Sequence, residues 1–264
     1  MADTNNFSLG AAEPITATQG SARLSMALRG KPQHSSFQLL ESTMNTHALS
    51  ELVFDFDIYP RGSVDSHHVS EIAEAMRAGS EMPPIVIDTK SKRIVDGFHR
   101  ARAYLQLHKP DHKVQCVEKR YRTEKELFLD SARLNASHGR ALTQHDKAHC
   151  LILAEKFGIT PEKMAEALNI TPARVGTLMS SRVGRVGASS VALKRTISHM
   201  AGRTITPAQS AANDKLSGMQ QAFYANQLIT LIENDLLDTE NDNLMRSLSR
   251  LSELLPGVLQ RAAA

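Results

Sequence analysis

Strand signals in this chain are confined to residues 51–120, and helical periodicity takes over from Thr123 to the C-terminus. A chain patterned this way is expected to be α+β, with a small sheet in its first half and a helical region behind it. Within 51–120, Leu52, Phe54, Phe56 and Ile58 alternate at period two. That predicts a strand with one buried face, ended by Tyr59-Pro60-Arg61-Gly62. Val69, Ile72, Ala73 and Met76 fall at helical spacing, with Gly79 as a stop. Pro83-Pro84 leads into a β-branched run, Ile85 to Asp88, and a polar turn over 89–92 separates it from Arg93-Ile94-Val95. Asp96-Gly97 breaks this second strand, Phe98 to Leu107 reads as a helix, and Val114 to Val117 reads as a further short strand.

The chain has 264 residues, enough for about two domains. Residues 1–45 are rich in small polar groups and are expected to form a flexible arm. The small α/β unit is expected over 46–122, a helical unit over 123–190, and a further helical region over 191–264. The longest charge-free run, Leu216 to Ile232, carries six polar residues, including Gln220 and Asn226, and is too short and too polar to span a bilayer. With no apolar leader at the N-terminus, the expected location is the cytoplasm, in association with the nucleoid. Cys116 and Cys150 are too few for a disulfide framework or a cysteine-only zinc site, and no metal ligands are assigned.

Overall net charge is +3, but its distribution is uneven. Between Ala167 and Asn213 there is no Asp or Glu, while Arg174, Arg182, Arg185, Lys194, Arg195 and Arg203 all fall there. Such a one-sign block suits a phosphate-facing surface; the plainer reading is a solvated basic face.

The block begins inside a recognisable pair of helices. Thr160-Pro161 supplies a cap and a first-turn proline, and Met164, Ala165 and Leu168 make an apolar face. Asn169 permits a left-handed turn, and Thr171-Pro172 repeats the start for a second helix carrying Val175 and Leu178. This predicts a helix-turn-helix, the alternative being an ordinary helical hairpin. The exposed side of its second helix offers Thr171, Arg174, Thr177 and Ser181, followed by Arg182 and Arg185, as contacts to duplex DNA.

A second constellation is Ile94-Val95-Asp96-Gly97-Phe98-His99-Arg100-Ala101-Arg102-Ala103. A glycine at a strand-to-helix turn lets main-chain amides approach an anion, and His99 and Arg100 are suited to phosphate. Asp96 and His99 are the catalytic candidates, Asp96 as a base or a magnesium ligand. In the plainer reading Asp96 caps the helix and Arg100 and Arg102 are solvated.

Pro84-Ile85-Val86-Ile87 followed by Asp96-Gly97-Phe98-His99-Arg100-Ala101-Arg102 resembles the signature of the ParB/sulfiredoxin superfamily, a Pro-Ile-Val strand and then Gly-Glu-Arg-Arg-x-Arg-Ala. Leu134-Asn135-Ala136-Ser137-His138-Gly139-Arg140 is similar to the connector that leads into that family's helical DNA-binding domain. The resemblance implies a ParB/sulfiredoxin-like α/β domain followed by an all-helical region with a helix-turn-helix. It implies a partition-type, mobile-element or transcription-regulating DNA-binding protein. It also implies a nucleoside triphosphate with Mg2+ held by Asp96, Gly97, His99, Arg100, Arg102, Asn135 and His138, and a partition or regulatory protein as partner. Phe98 stands where sulfiredoxins carry cysteine, so sulfinic-acid reduction is not expected. The alternative is an enzyme, a nucleotide hydrolase, phosphotransferase or nuclease centred on Asp96, His99 and Arg100. A leucine stripe at Leu244, Leu248, Leu251, Leu254, Leu255 and Val258, ending near Pro256-Gly257, points to a homodimer or to packing within the chain.

Overall fold

The computed structural model describes residues 42–137 and 139–263. A four-stranded sheet has the order β1-β4-β2-β3, built from β1 (Ser42–Ala48), β2 (Ile85–Asp88), β3 (Ile94–Asp96) and β4 (Lys113–Lys119). β2 lies parallel to β4 and antiparallel to β3, and β1 is antiparallel to β4. Helix α1 (Ser66–Arg77) starts where the Asp65 carboxylate accepts the main-chain N–H groups of His67 and His68. Helix α2 (Phe98–Leu107) crosses from β3 back to β4 and buries Phe98, Ala101 and Ala103. Phe98 and Ala101 join Ile85, Ile87, Ile94 and Cys116 in the core of the sheet, while Ala103 packs with Val69 and Ala73 of α1.

The expected strand over Leu52–Ile58 is absent. Leu49–Glu51 is a turn of 3-10 helix, and the following extended chain makes one bridge to the sheet, Val53 to Arg93. Phe54, Phe56 and Tyr59 instead gather their rings on Phe98, with Tyr59 stacked on it at 4.1 Å. Period-two alternation here serves an aromatic cluster, which needs no ladder. Conversely, Ser42–Ala48 is a strand, so residues 42–45 belong to the sheet, not to an arm; residues 1–41 lie outside the described residues.

Helices α3 (Glu124–Ser137), α4 (Gln144–Lys156), α5 (Pro161–Ala167) and α6 (Pro172–Arg182) follow. Val95 of β3 and Ile58 share one core with Leu127, Phe128, Leu151, Met164, Leu168 and Leu178, and Ser131 donates to the Val95 carbonyl at 2.7 Å. The sheet and the helices are therefore packed together at α3, with no break at the expected boundary of 122.

The second half is not all-helical. A hairpin of β5 (Val183–Val186) and β6 (Ser189–Ala192) leaves directly from α6. Helices α7 (Pro207–Lys215), α8 (Gln221–Glu233) and α9 (Asp242–Ala263) complete the chain. α9 runs through Pro256 instead of ending there, and α8 has no buried residue. Among the described residues no helix is long and apolar enough to cross a membrane.

Candidate functional site

The turn at Asp96-Gly97 is built largely for its own stability. Gly97 sits at φ 102°, a region costly for any residue with a Cβ, and a Cβ there would also meet the Arg100 guanidinium at 3.0 Å. Arg100 donates to Asp96 at 2.7 Å and to the carbonyls of Pro83 and Pro84 at 2.7 and 2.9 Å. The guanidinium thus ties α2 to the entry of β2, and the charge expected to meet an anion is spent inside the fold. Asp96 does not cap α2; its carboxylate is the partner of Arg100.

His99 Nε2 accepts the main-chain N–H of Asp65 at 3.2 Å, and its ring lies edge-on to His68 at 5.1 Å. Burial, reinforced by the nearby Arg61 charge, lowers its pKa to about 4. At neutral pH His99 is therefore an uncharged imidazole, not the cation expected. Arg102 lies 4.5 Å over the Phe54 ring. Asn135 is buried and donates to the Ser131 carbonyl at 2.9 Å. His138 lies outside the described residues.

Of the residues expected to share an anion site, His99 lines a large cleft of about 1020 Å³, whereas Asp96, Gly97, Arg100, Arg102 and Asn135 do not. The cleft runs between the α1 N-terminus, the start of α4, the end of α6 and the chain around Lys194 and Leu216. Its cations are Arg61, Arg140, Arg182, Lys194, Arg195 and Lys215. Arg61 is deeply embedded, its side chain 10% exposed and 3.7 Å from Asp146. One of its terminal nitrogens donates to the Arg140 carbonyl, and its Nε is buried with no partner among the described residues. Arg140 in turn donates to Asp65, whose carboxyl it holds below the usual range.

Asp146 anchors this wall. It accepts the Thr143 N–H at 2.9 Å and the Thr143 hydroxyl at 2.8 Å, closing a capping box at the start of α4. Burial alone would raise its pKa; contacts with His145, Thr143 and Arg61 outweigh this and hold it at about 2. Sequence reading took Tyr59-Pro60-Arg61-Gly62 as a strand terminator and so missed Arg61.

The predicted pair of helices is present as α5 and α6. Thr160 and Thr171 each accept the N–H three residues on, at 3.5 and 3.3 Å, and Asn169 turns the chain between them at φ 52°. Met164, Ala165, Leu168, Val175 and Leu178 are buried between them and α3–α4. Thr171, Ala173, Thr177 and Ser181 are exposed along α6, with Arg174 half-exposed. Arg182 donates to Gln144 at 3.1 Å, and burial, then the charges of Arg195 and Arg174, push its pKa down. Arg182 thus lies within the repulsive field of both Arg195 and Arg174. Lys194 is less available than expected, since its ammonium donates to the carbonyls of Asp214 and Leu216.

Residues 36–131 match the family described as the ParB N-terminal domain. This segment of the chain is a ParB N-terminal domain. It takes in β1 to β4, α1, α2 and the first half of α3. A curated relative, a streptomycin biosynthesis operon possible regulatory protein from Streptomyces griseus, is 27% identical over 173 residues, which is 65% of this chain and 47% of that protein. The chain thus spans about half the length of that relative. Among solved structures, C-terminally truncated ParB from Caulobacter crescentus complexed to the centromeric parS site is 18% identical, covering 52% of this chain and 70% of that one at a TM-score of 0.38. The same protein complexed with CTP-gamma-S is 17% identical, covering 52% and 77% at a TM-score of 0.32. The ParB domain here also keeps Phe98, buried under the aromatic cluster, where a sulfiredoxin would need a reactive thiol.

Proposed function

We propose that this ParB-domain protein binds duplex DNA through α6 as the second helix of a helix-turn-helix, in a partition or regulatory setting. The observation that carries the reading is Arg182 at the end of α6, flanked by the charges of Arg195 and Arg174 on a stretch without Asp or Glu, a cationic surface that an anion would neutralise. Two relatives support the direction: one is described as a possible regulatory protein and one was solved on a parS site. In this reading Arg174 and Thr177 read base edges and Arg182 holds phosphate. Arg174→Ala is expected to cost about 1–3 kcal/mol on a selected site and little on random duplex, measured by fluorescence anisotropy. Equal losses on both would remove the base-reading role.

The cleft is the proposed nucleotide site, displaced from the Asp96–Arg100 turn toward Arg61 and Arg140. A polyphosphate fits its excess of cations and the unpartnered Nε of Arg61, and the Caulobacter ParB complex with CTP-gamma-S is consistent with it. Asp65 and Asp146 are both committed to arginines, so any Mg2+ is expected to arrive held by the phosphates. Each of the four ribonucleoside triphosphates with Mg2+ would be screened by thermal shift. At a hundredfold excess over Kd, the binding one raises stability by about 2.7 kcal/mol, and Arg140→Ala removes that rise. No shift with any of them would withdraw the site. Turnover in the same samples would favour the enzyme reading, although Asp96, paired with Arg100, is poorly placed as a base.

A second copy is the proposed cover for α8 and α9. Leu244, Leu248, Leu251, Leu255 and Val258 follow a four-three spacing, and the flanking positions Met245, Ser247, Ser252, Leu254 and Leu259 are uncharged. Leu251, Leu254, Leu255, Val258 and Leu259 are exposed, as are Phe223, Ile229 and Ile232 of α8. Such a broad apolar face suits a four-helix bundle from two chains. Leu251→Glu with Leu255→Glu is expected to give a monomer in sedimentation equilibrium; a wild-type monomer at the same concentration would overturn the assignment.

A further inference from the structure

The hairpin β5–β6 is continuous with α6, because Val183 both closes the helix and opens the strand. Its base is fixed to the helical core. Val183 and Ala192 are buried against Ala148, with Ile152 and Met179 alongside, and the Leu193 N–H donates to the Arg182 carbonyl at 2.7 Å. A third extended segment runs along its edge: the Arg185 N–H donates to the Arg203 carbonyl at 3.0 Å, and the Ile205 N–H donates to the Arg185 carbonyl at 2.8 Å. Gly184 leaves room for this packing, since a Cβ there would come within 3.3 Å of Leu193 and 3.4 Å of the Arg203 carbonyl. The hairpin therefore holds a set orientation relative to α6.

Its far end has a different character. The strands are joined through Gly187-Ala188, and Arg185, Gly187, Ala188, Ser189 and Arg203 are exposed. Small and hydroxyl side chains at the tip offer no apolar anchor for a protein partner. Among the described residues no carboxylate pairs with Arg185 or Arg203, and none occurs anywhere between residues 167 and 213. Four-residue strands reach about 13 Å at roughly 3.3 Å per residue, close to the roughly 12 Å width of the DNA major groove. A slim, cationic projection of that reach, rigidly joined to a helix lying in the groove, meets the sugar-phosphate backbone at the groove's edge.

We propose that β5–β6 is a wing, a second DNA contact that lays Arg185, Arg203 and the Gly187–Ser189 tip against phosphates flanking the groove that α6 enters. The proposal rests on the DNA-binding reading of α6, and it adds a contact indifferent to sequence. It separates two roles within one basic block: Arg174 selects the site, and the wing arginines hold the duplex wherever it is met.

The test uses the full chain, a duplex selected from a random-sequence pool and an unselected duplex of equal length, with anisotropy titrations across salt. In the Arg185→Ala, Arg203→Ala double variant the slope of log K against log salt is expected to fall by about 2 on both duplexes, with the preference for the selected one kept. The Arg185→Lys, Arg203→Lys variant keeps the charge and is expected to restore the slope, which separates charge from any loss of folding. A double-alanine slope equal to wild type, in a protein whose site preference still depends on Arg174, overturns the wing and leaves the α6 reading intact. A wild-type protein that binds neither duplex overturns both.

Discussion

Raising salt from 50 to 200 mM is expected to weaken DNA binding by about 150-fold for each copy of the chain. The count behind this is the four arginines assigned to phosphate in or beside the α6 surface, Arg182, Arg185, Arg195 and Arg203, each releasing about 0.9 counterion from the duplex on contact. Four contacts give a slope of about −3.6 in log K against log salt, and a fourfold rise in salt then costs about 150-fold. Lys194 is left out because its ammonium is already held by the carbonyls of Asp214 and Leu216. A dimer engaging two half-sites doubles the exponent, so the slope also reports how many copies bind. Anisotropy titrations at four salt concentrations measure it directly. A slope near zero would mean that the acid-free block faces solvent and does not meet phosphate.

How far the sequence exposed this arrangement differs from one element to the next, for physical reasons. α2 was legible to the residue because Gly97 and the apolar Phe98, Ala101 and Ala103 mark its start and its buried face. The α5–α6 pair was equally plain, since two Thr-Pro caps and Asn169 are local signals that packing does not override. β1 was not, because it is an edge strand. Met44 is 60% exposed, so the strand is held by its ladder to β4 and carries little apolar pattern. β5–β6 was not legible either, because strands of only four residues are too short to show a period. The Leu52–Ile58 run showed the right period but the wrong partner, as its rings pack on Phe98 instead of on a sheet face.

The candidate site was the least legible part. Arg61 and Arg140 stand 79 positions apart, and no local motif joins them; they meet because α4 is capped at Thr143–Asp146 beside the loop that follows Ile58. Arg100 misled in the opposite direction. Prolines at 83 and 84 leave two carbonyls to be satisfied, and a guanidinium four residues beyond Asp96 reaches both carbonyls and the carboxylate. A motif that looks like a ligand cradle in one dimension is, at its arginine, a clasp for the sheet.

Acid is expected to loosen the cleft in two steps of the same sign. His99 has its pKa depressed from 6.5 to about 4, so between those values the unfolded chain takes up a proton that the fold refuses. Stability that is fully present above pH 6.5 is therefore lost progressively down to pH 4. Asp146, depressed from 3.8 to about 2, contributes about 2 kcal/mol above pH 3.8 that disappears as pH falls through 2. Melting temperature against pH should thus fall first between 6.5 and 4, and again below 3.8. His99→Gln should shrink the first fall, which His149 shares because burial lowers its pKa too, and leave the second. Arg61→Ala acts on the same wall at neutral pH: it strands a buried Asp146 carboxylate whose remaining partners are His145, Thr143 and the Gly62 N–H. Removing one partner of a buried pair typically costs about 3–5 kcal/mol, and the 3.7 Å separation places this case at the lower end. Arg61→Ala combined with Asp146→Asn removes the stranded charge and should recover part of that loss. A double variant no more stable than Arg61→Ala alone would show that Arg61 acts through the Arg140 carbonyl, not through Asp146.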